Sequence, residues 1–156
     1  MENNLQQQIV DATRAVFDTM LMVPVMSGAA LADKVYLFKD SISGMLGFSG
    51  DVQGMLTFHC PQRVAFDITG QLLGMEVDSI DEDVKDTIGE MANMILGGIK
   101  DAFLEQGTNI SLAIPTVMTG RSYQVKTVDY ASWTTVPFYL DDGEFLVELK
   151  LKTFDQ

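Results

Sequence analysis

The sequence predicts an α+β fold: long α-helices packed on an antiparallel β-sheet, with a weak internal duplication of a helix followed by strands. Three observations predict it. Apolar residues recur at three-four spacing over two long stretches, each stretch is followed by β-rich runs, and those runs are joined by tight turn chemistry. A chain of 156 residues, 47% apolar, matches the size of one domain with a substantial core, so residues 1–156 are expected to form a single unit.

The elements follow in order. Leu5, Ile9, Ala12, Val16, Met20 and Val23 mark one buried face of a first helix, which Pro24 ends. Lys34 to Phe38, Ile42 to Phe48 and Val52 to Phe58 read as strands, separated by Lys39-Asp40-Ser41 and by Ser49-Gly50-Asp51 as turns. Pro61 suits a first helical turn, and Val64, Ile68, Leu72 and Leu73 give a short amphipathic helix closed by Gly74. Ser79 followed three residues later by Glu82 is a capping box opening a second long helix with an acidic first turn, which runs to about Gln106 and stops at Gly107. Ile110 to Ile114, Ser122 to Val128, Thr134 to Leu140 and Phe145 to Lys152 are further strands, with Asp142-Gly143 as a hairpin turn.

Composition excludes several functions. A formal net charge of −12 repels phosphate backbones and anionic lipid, so neither nucleic acid nor membrane is an expected partner. The longest apolar stretch, Met20 to Ala32, is broken by Pro24, Ser27 and Gly28 and is too short to span a bilayer. Cys60 is the single cysteine and no basic-then-apolar leader opens the chain, so a cytoplasmic location is expected. One histidine, His59, and one cysteine cannot form a zinc cluster, and His59 reads as structural. Gly47-Phe48-Ser49-Gly50 lacks nucleophile-elbow spacing because Asp51 stands where the last glycine belongs. Asp81-Glu82-Asp83 is no calcium loop, since Asp86 occupies the glycine position. The ten methionines read as adaptable core filler.

The second long helix carries the candidate site. At about 100° per residue, Val84, Ile88, Met91, Ile95, Ile99 and Ala102 share one face, while Asp86, Glu90, Asn93 and Gly97 gather on the opposite one. Glu90 and Asn93 are neighbours three residues apart. Gly97 leaves the surface beyond them flat and open to a second macromolecule. Gly98 is directed further toward the sheet side, where it permits close packing.

At this motif the sequence resembles the CheC/CheX family of chemotaxis phosphatases, and specifically its CheX branch. The signature is Glu-x-x-Asn on a long helix followed by glycine, here Glu90-Met91-Ala92-Asn93-Met94-Ile95-Leu96-Gly97. The resemblance extends through GDVQGMLTF, QLLGMEV, IDEDVKDTIGEMANMILGGIKDAF, SLAIPTVMTGRSY and FYLDDGEFLVELKL, in that order. The CheC branch resembles a duplicated version with two such sites; the first helix here, QQIVDATRAVFDTM, has no Glu-x-x-Asn pair. Many relatives carry Asn-Ala after the motif glycine, where this chain has Gly98-Ile99, a variation in helix packing.

The resemblance implies hydrolysis of the aspartyl phosphate on a CheY-like response regulator. Asn93 would orient the attacking water and Glu90 would pair with the receiver's lysine, with Asp86, Met94 and Gly97 meeting the partner around them. No cofactor of its own is implied, because Mg²⁺ is held by the receiver domain. The resemblance also implies a homodimer joined through sheet edges. The competing reading is a non-catalytic module that binds response regulators or dimerises.

Overall fold

The computed structural model describes residues 2–126, 132–141 and 143–152. Helix α1 (Glu2–Val16) runs into a π-helical turn (Phe17–Leu21), then come strands β1 (Met26–Ser27), β2 (Leu37–Gly50) and β3 (Gln53–Pro61). Helices α2 (Gln62–Leu73) and α3 (Glu82–Glu105) precede β4 (Ile110–Leu112), β5 (Thr116–Gln124), β6 (Ser132–Leu140) and β7 (Gly143–Lys152). The strands form one seven-stranded sheet in the order β1-β6-β7-β3-β2-β4, with β5 also on β2. Every pairing is antiparallel.

The duplication expected from sequence is visible in this order. Hairpins β2–β3 and β6–β7 meet where β3 pairs with β7. Short strand β1, following α1, pairs with outer strand β6 of the other hairpin, and β4 and β5, following α3, pair with outer strand β2. Between the helices and the sheet lies an aromatic core in which Phe145 stacks on three rings, with centroids 5.1 Å from Phe17, 5.0 Å from Phe58 and 5.3 Å from Phe138.

The opposite face of the sheet is buried as well, and it is polar. Pleating sends Leu56, Phe58, Val147 and Leu149 toward the helices and Thr57, His59, Glu148 and Lys150 the other way, yet all eight are buried. Residues 28–36 cross over that second face from the β6 edge to the β2 edge. Gly28 and Leu31 donate to the carbonyls of Pro137 and Thr135, each at 2.9 Å, and Tyr36 accepts from Val125 at 2.8 Å.

Several elements differ from the sequence expectation. The first helix keeps α geometry only to Val16, and the π turn slips the phase, so Phe17 and Leu21 are buried while Met20 is 44% exposed. Lys39-Asp40-Ser41 forms no turn: β2 passes straight through it, with Asp40 in the left-handed region at φ 46°. Leu73, expected on the buried face of α2, is exposed. The cap of α3 is Asp81 rather than Ser79; its carboxylate accepts from the Val84 backbone N–H at 3.0 Å. The expected Ser122 to Val128 strand lies upstream as β5, and residues 127 and 128 fall outside the described residues. The first strand after α3 is shorter than expected, ending at Leu112. Of the Asp142-Gly143 turn, Asp142 lies outside the described residues, while Asp141 takes φ 51° and Leu140 pairs with Gly143.

The stop at Gly107 is as expected and takes the form of a Schellman motif. Thr108 donates to the Phe103 carbonyl at 2.9 Å and Gly107 to that of Leu104 at 3.0 Å, with Gly107 at φ 82°. Gly98 meets α1, not the sheet: a Cβ there would lie 3.1 Å from Ala12 Cβ. Gly98→Leu is therefore expected to force α1 away and to lower stability by about 1–3 kcal/mol. Asp81→Ala should cost about 1 kcal/mol and Ser79→Ala much less. Urea unfolding of the three variants checks both.

Candidate functional site

Helix α3 is covered over most of its circumference. Gly44 on β2 lets the sheet approach so closely that a Cβ there would sit 2.9 Å from the Ile88 carbonyl oxygen, and Ala12 of α1 closes on Gly98. On the remaining flank, a Cβ on Gly89 would meet Val117 at 3.4 Å and Pro115 at 3.6 Å. The buried residues of α3 include Val84, Ile88, Met91, Ile95 and Ile99, as the periodicity predicts, while Ala102 is half-buried.

Open along the middle of the helix is the strip of Asp86, Glu90, Asn93 and Gly97, while Glu82, Asp83, Asp101, Leu104 and Glu105 are exposed toward its ends. Asp86 and Glu90 are exposed, and Asn93 and Gly97 are half-buried. The side chains of Glu90 and Asn93 make no hydrogen bond or ion pair with the described residues. A Cβ on Gly97 would meet nothing within 4 Å, so glycine there serves no packing within this chain. Met94 is half-buried and packs against the core, presenting only part of its surface. The structure thus brings the sequence-derived residues onto one strip, with Met94 at its margin. Residues 113–115, which border it on the Gly89 flank, were not singled out from sequence; Pro115, unable to donate in a ladder, is their one local sign.

A carboxylate and a carboxamide on a convex helix cannot enclose a small molecule. They can enter a concave site on a larger body, the carboxylate accepting from a cation and the carboxamide both donating and accepting. The cavities lie elsewhere: one of about 270 Å³, lined by Asn4, Leu5, Gln8 and Phe103 among others, sits against the other end of α3.

A second polar cluster lies under residues 28–36. Ser43 Oγ is 2.7 Å from both His59 Nδ1 and Tyr123 Oη, and the His59 ring stacks on Phe38 with centroids 4.0 Å apart. Thr135 donates to Glu148 at 2.8 Å, and Glu148 pairs with Lys150 at 3.4 Å. The serine–histidine contact is not a nucleophile and its base. Ser43 is fully buried, and burial first, then the charge of Lys150, push the His59 imidazole down to about 3. His59 is a neutral structural residue, as its sequence position suggests.

A histidine neutral in the fold but titrating near 6.5 when unfolded makes stability depend on pH. The unfolded chain takes up a proton that the folded chain refuses, so stability is full above about pH 6.5 and falls as pH drops toward 3, at about 1.4 kcal/mol per unit from this group. Urea midpoints between about pH 7 and pH 4 should show that decline, and His59→Gln should flatten it.

The family model described as chemotaxis phosphatase CheX matches residues 42–139. The CheY-P phosphatase CheX of Thermotoga maritima is 27% identical over 88 residues, covering 56% of this chain and 57% of that protein, so the match spans little more than half the relative's length. A crystal structure of the chemotaxis protein CheX from Desulfovibrio desulfuricans superposes with a TM-score of 0.86 at 28% identity, over 96% of this chain and 99% of that one. The CheX–CheY–BeF₃–Mg²⁺ complex from Borrelia burgdorferi matches at TM-score 0.83 over 94% of this chain and 97% of that chain, and at 21% identity the likeness is one of fold.

Proposed function

The chain belongs to the CheX family of chemotaxis phosphatases, and we propose that, acting as one domain, it hydrolyses the aspartyl phosphate of a CheY-like response regulator through the open strip of α3. The observation that carries this reading is the pair Glu90 and Asn93, three residues apart on a helix held on its other sides, with neither side chain engaged in the fold. The T. maritima relative, a CheY-P phosphatase, and the B. burgdorferi complex of a CheX with CheY, BeF₃ and Mg²⁺ support a CheY-like partner. The Mg²⁺ is taken to be the receiver's own, supplying charge stabilisation of the phosphoryl group there.

This chain then contributes position rather than a nucleophile. Water attacks phosphorus in line with the aspartyl oxygen; the P–O bond to aspartate breaks, leaving a free carboxylate and inorganic phosphate. The Asn93 carboxamide hydrogen-bonds that water and holds it on line, and it neither titrates nor repels the phosphoryl oxygens. Glu90 pairs with the receiver's lysine and fixes the approach of α3. Gly97, with open space beyond it, lets the receiver close on the helix. The outer sides of β1 and β5, which pair with no strand among the described residues, support a homodimer joined at sheet edges.

The test is the decay of a phosphorylated CheY-like receiver with Mg²⁺. Wild-type protein should accelerate it, and Asn93→Ala should lose about a hundredfold or more of that acceleration while still binding the receiver. Full activity of a well-folded Asn93→Ala protein would refute the water-positioning role. No acceleration by wild type across the receivers of the same genome would instead favour a binding module. Gly97→Gln is expected to keep or raise helix stability, by up to about 1 kcal/mol, yet to slow turnover by obstructing approach. Normal turnover would remove that role from Gly97.

A further inference from the structure

The sheet edge beside α3 carries a feature that this chemistry does not use. Phe48 of β2 stands opposite Leu112 and Met45 opposite Thr116, so the two β2 residues between them face three, Ala113, Ile114 and Pro115. That is a β-bulge, a device that re-aims a side chain and is frequent next to active sites. Its ends are fixed: Ala113 donates to the Gly47 carbonyl at 2.9 Å, and Pro115 abuts α3 at Gly89. Ile114, held between them, is 87% exposed, more than any other large apolar side chain among the described residues.

Helix α3 turns at Gly107 directly into β4, so the edge runs back antiparallel along the helix. Pro115 lies against Gly89, and Ile114 is one residue further toward the helix C-terminus. A strand advances about 3.3 Å and a helix about 1.5 Å per residue, so the backbone at Ile114 lies level with the turn from Glu90 to Asn93, on the flank opposite α1. Lone exposed apolar side chains are ordinary on protein surfaces. This one is set apart by the bulge it occupies and by a backbone position level with two polar groups that supply almost no apolar area.

We propose that Ile114 is the apolar anchor of the docking surface for the phosphorylated receiver, setting affinity while Asn93 sets rate. The inference rests on the function proposed above. A partner with an ordinary footprint of about 800 Å², lowered onto Glu90 and Asn93, covers Ile114 and buries it in an apolar depression near the centre of the contact, where binding energy concentrates.

Steady-state hydrolysis of a phosphorylated CheY-like receiver, together with titration of the same receiver loaded with BeF₃ and Mg²⁺, tests it. Ile114→Asp should raise KM and Kd by about tenfold or more while kcat stays within about twofold. Ile114→Val should remain near wild type. Met22→Asp is the control and should change neither constant: Met22 is 85% exposed in the connection before β1, where its neighbours Leu21 and Val23 lie beside Leu140 and Asp141 at the β6–β7 end. If the wild type turns over the receiver and Ile114→Asp leaves KM and Kd unaltered, the anchor is refuted while the phosphatase stands. A change in sedimentation state of Ile114→Asp without a change in Kd assigns the residue to contacts between copies of this chain, and also refutes the anchor. If the wild type turns over no receiver, both readings fall.

Discussion

The seating of α3 against β2 is the contact on which the rest of the molecule depends. Gly44 brings the strand backbone up to the Ile88 carbonyl, and Gly98 brings α1 onto the far side of the same helix at Ala12. With Pro115 and Val117 against Gly89, the helix is held from three directions. Along the middle of the helix, the strip from Asp86 to Gly97 is left uncovered. Side chains projecting from so constrained a backbone are positioned in advance, which a group acting by orientation requires.

The two faces of the sheet answer different demands. Phenylalanines gathered on Phe145 fill the space under the helices. On the other face, Glu148 and Lys150 are buried as a pair with Thr135, beside the Ser43–His59–Tyr123 network. Burying charge is costly unless the partners are in place, so this layer adds less to stability than to alignment. A slip of β7 by one residue would drive Glu148 and Lys150 into the aromatic core.

The candidate site is convex, and this shapes its chemistry. A protruding carboxylate and carboxamide are suited to completing a site that another molecule brings, rather than to forming one alone. In the function proposed above, specificity resides in how the rest of the surface meets that molecule, and on this surface the bulge at 113–115 is tied to β2 through Ala113 and packed on α3 through Pro115. In that proposal the reactive and recognition geometries come from different elements, a helix and a sheet edge, which meet at Gly89.

Period and spacing were enough to identify the α+β class, the two long helices, the stop at Gly107 and the strip of Glu90, Asn93 and Gly97. Each depends on which residues share a face, and backbone geometry alone sets that. The neighbouring glycines show the limit: both lie in α3, but only the position of α1 decides that Gly98 is for packing and Gly97 for open space. Ser79 and Asp81 are both good caps, and the packing that sets where α3 begins selects Asp81. The π turn after Val16, the straight passage of β2 through Asp40 and the bulge at Ile114 answer to partners distant in sequence. So does the burial of His59, Glu148 and Lys150, because a strand's alternation separates its two faces but cannot say that residues 28–36 will cross over the second one. Local periodicity fixes the direction in which a side chain points; only the folded chain decides what, if anything, covers it.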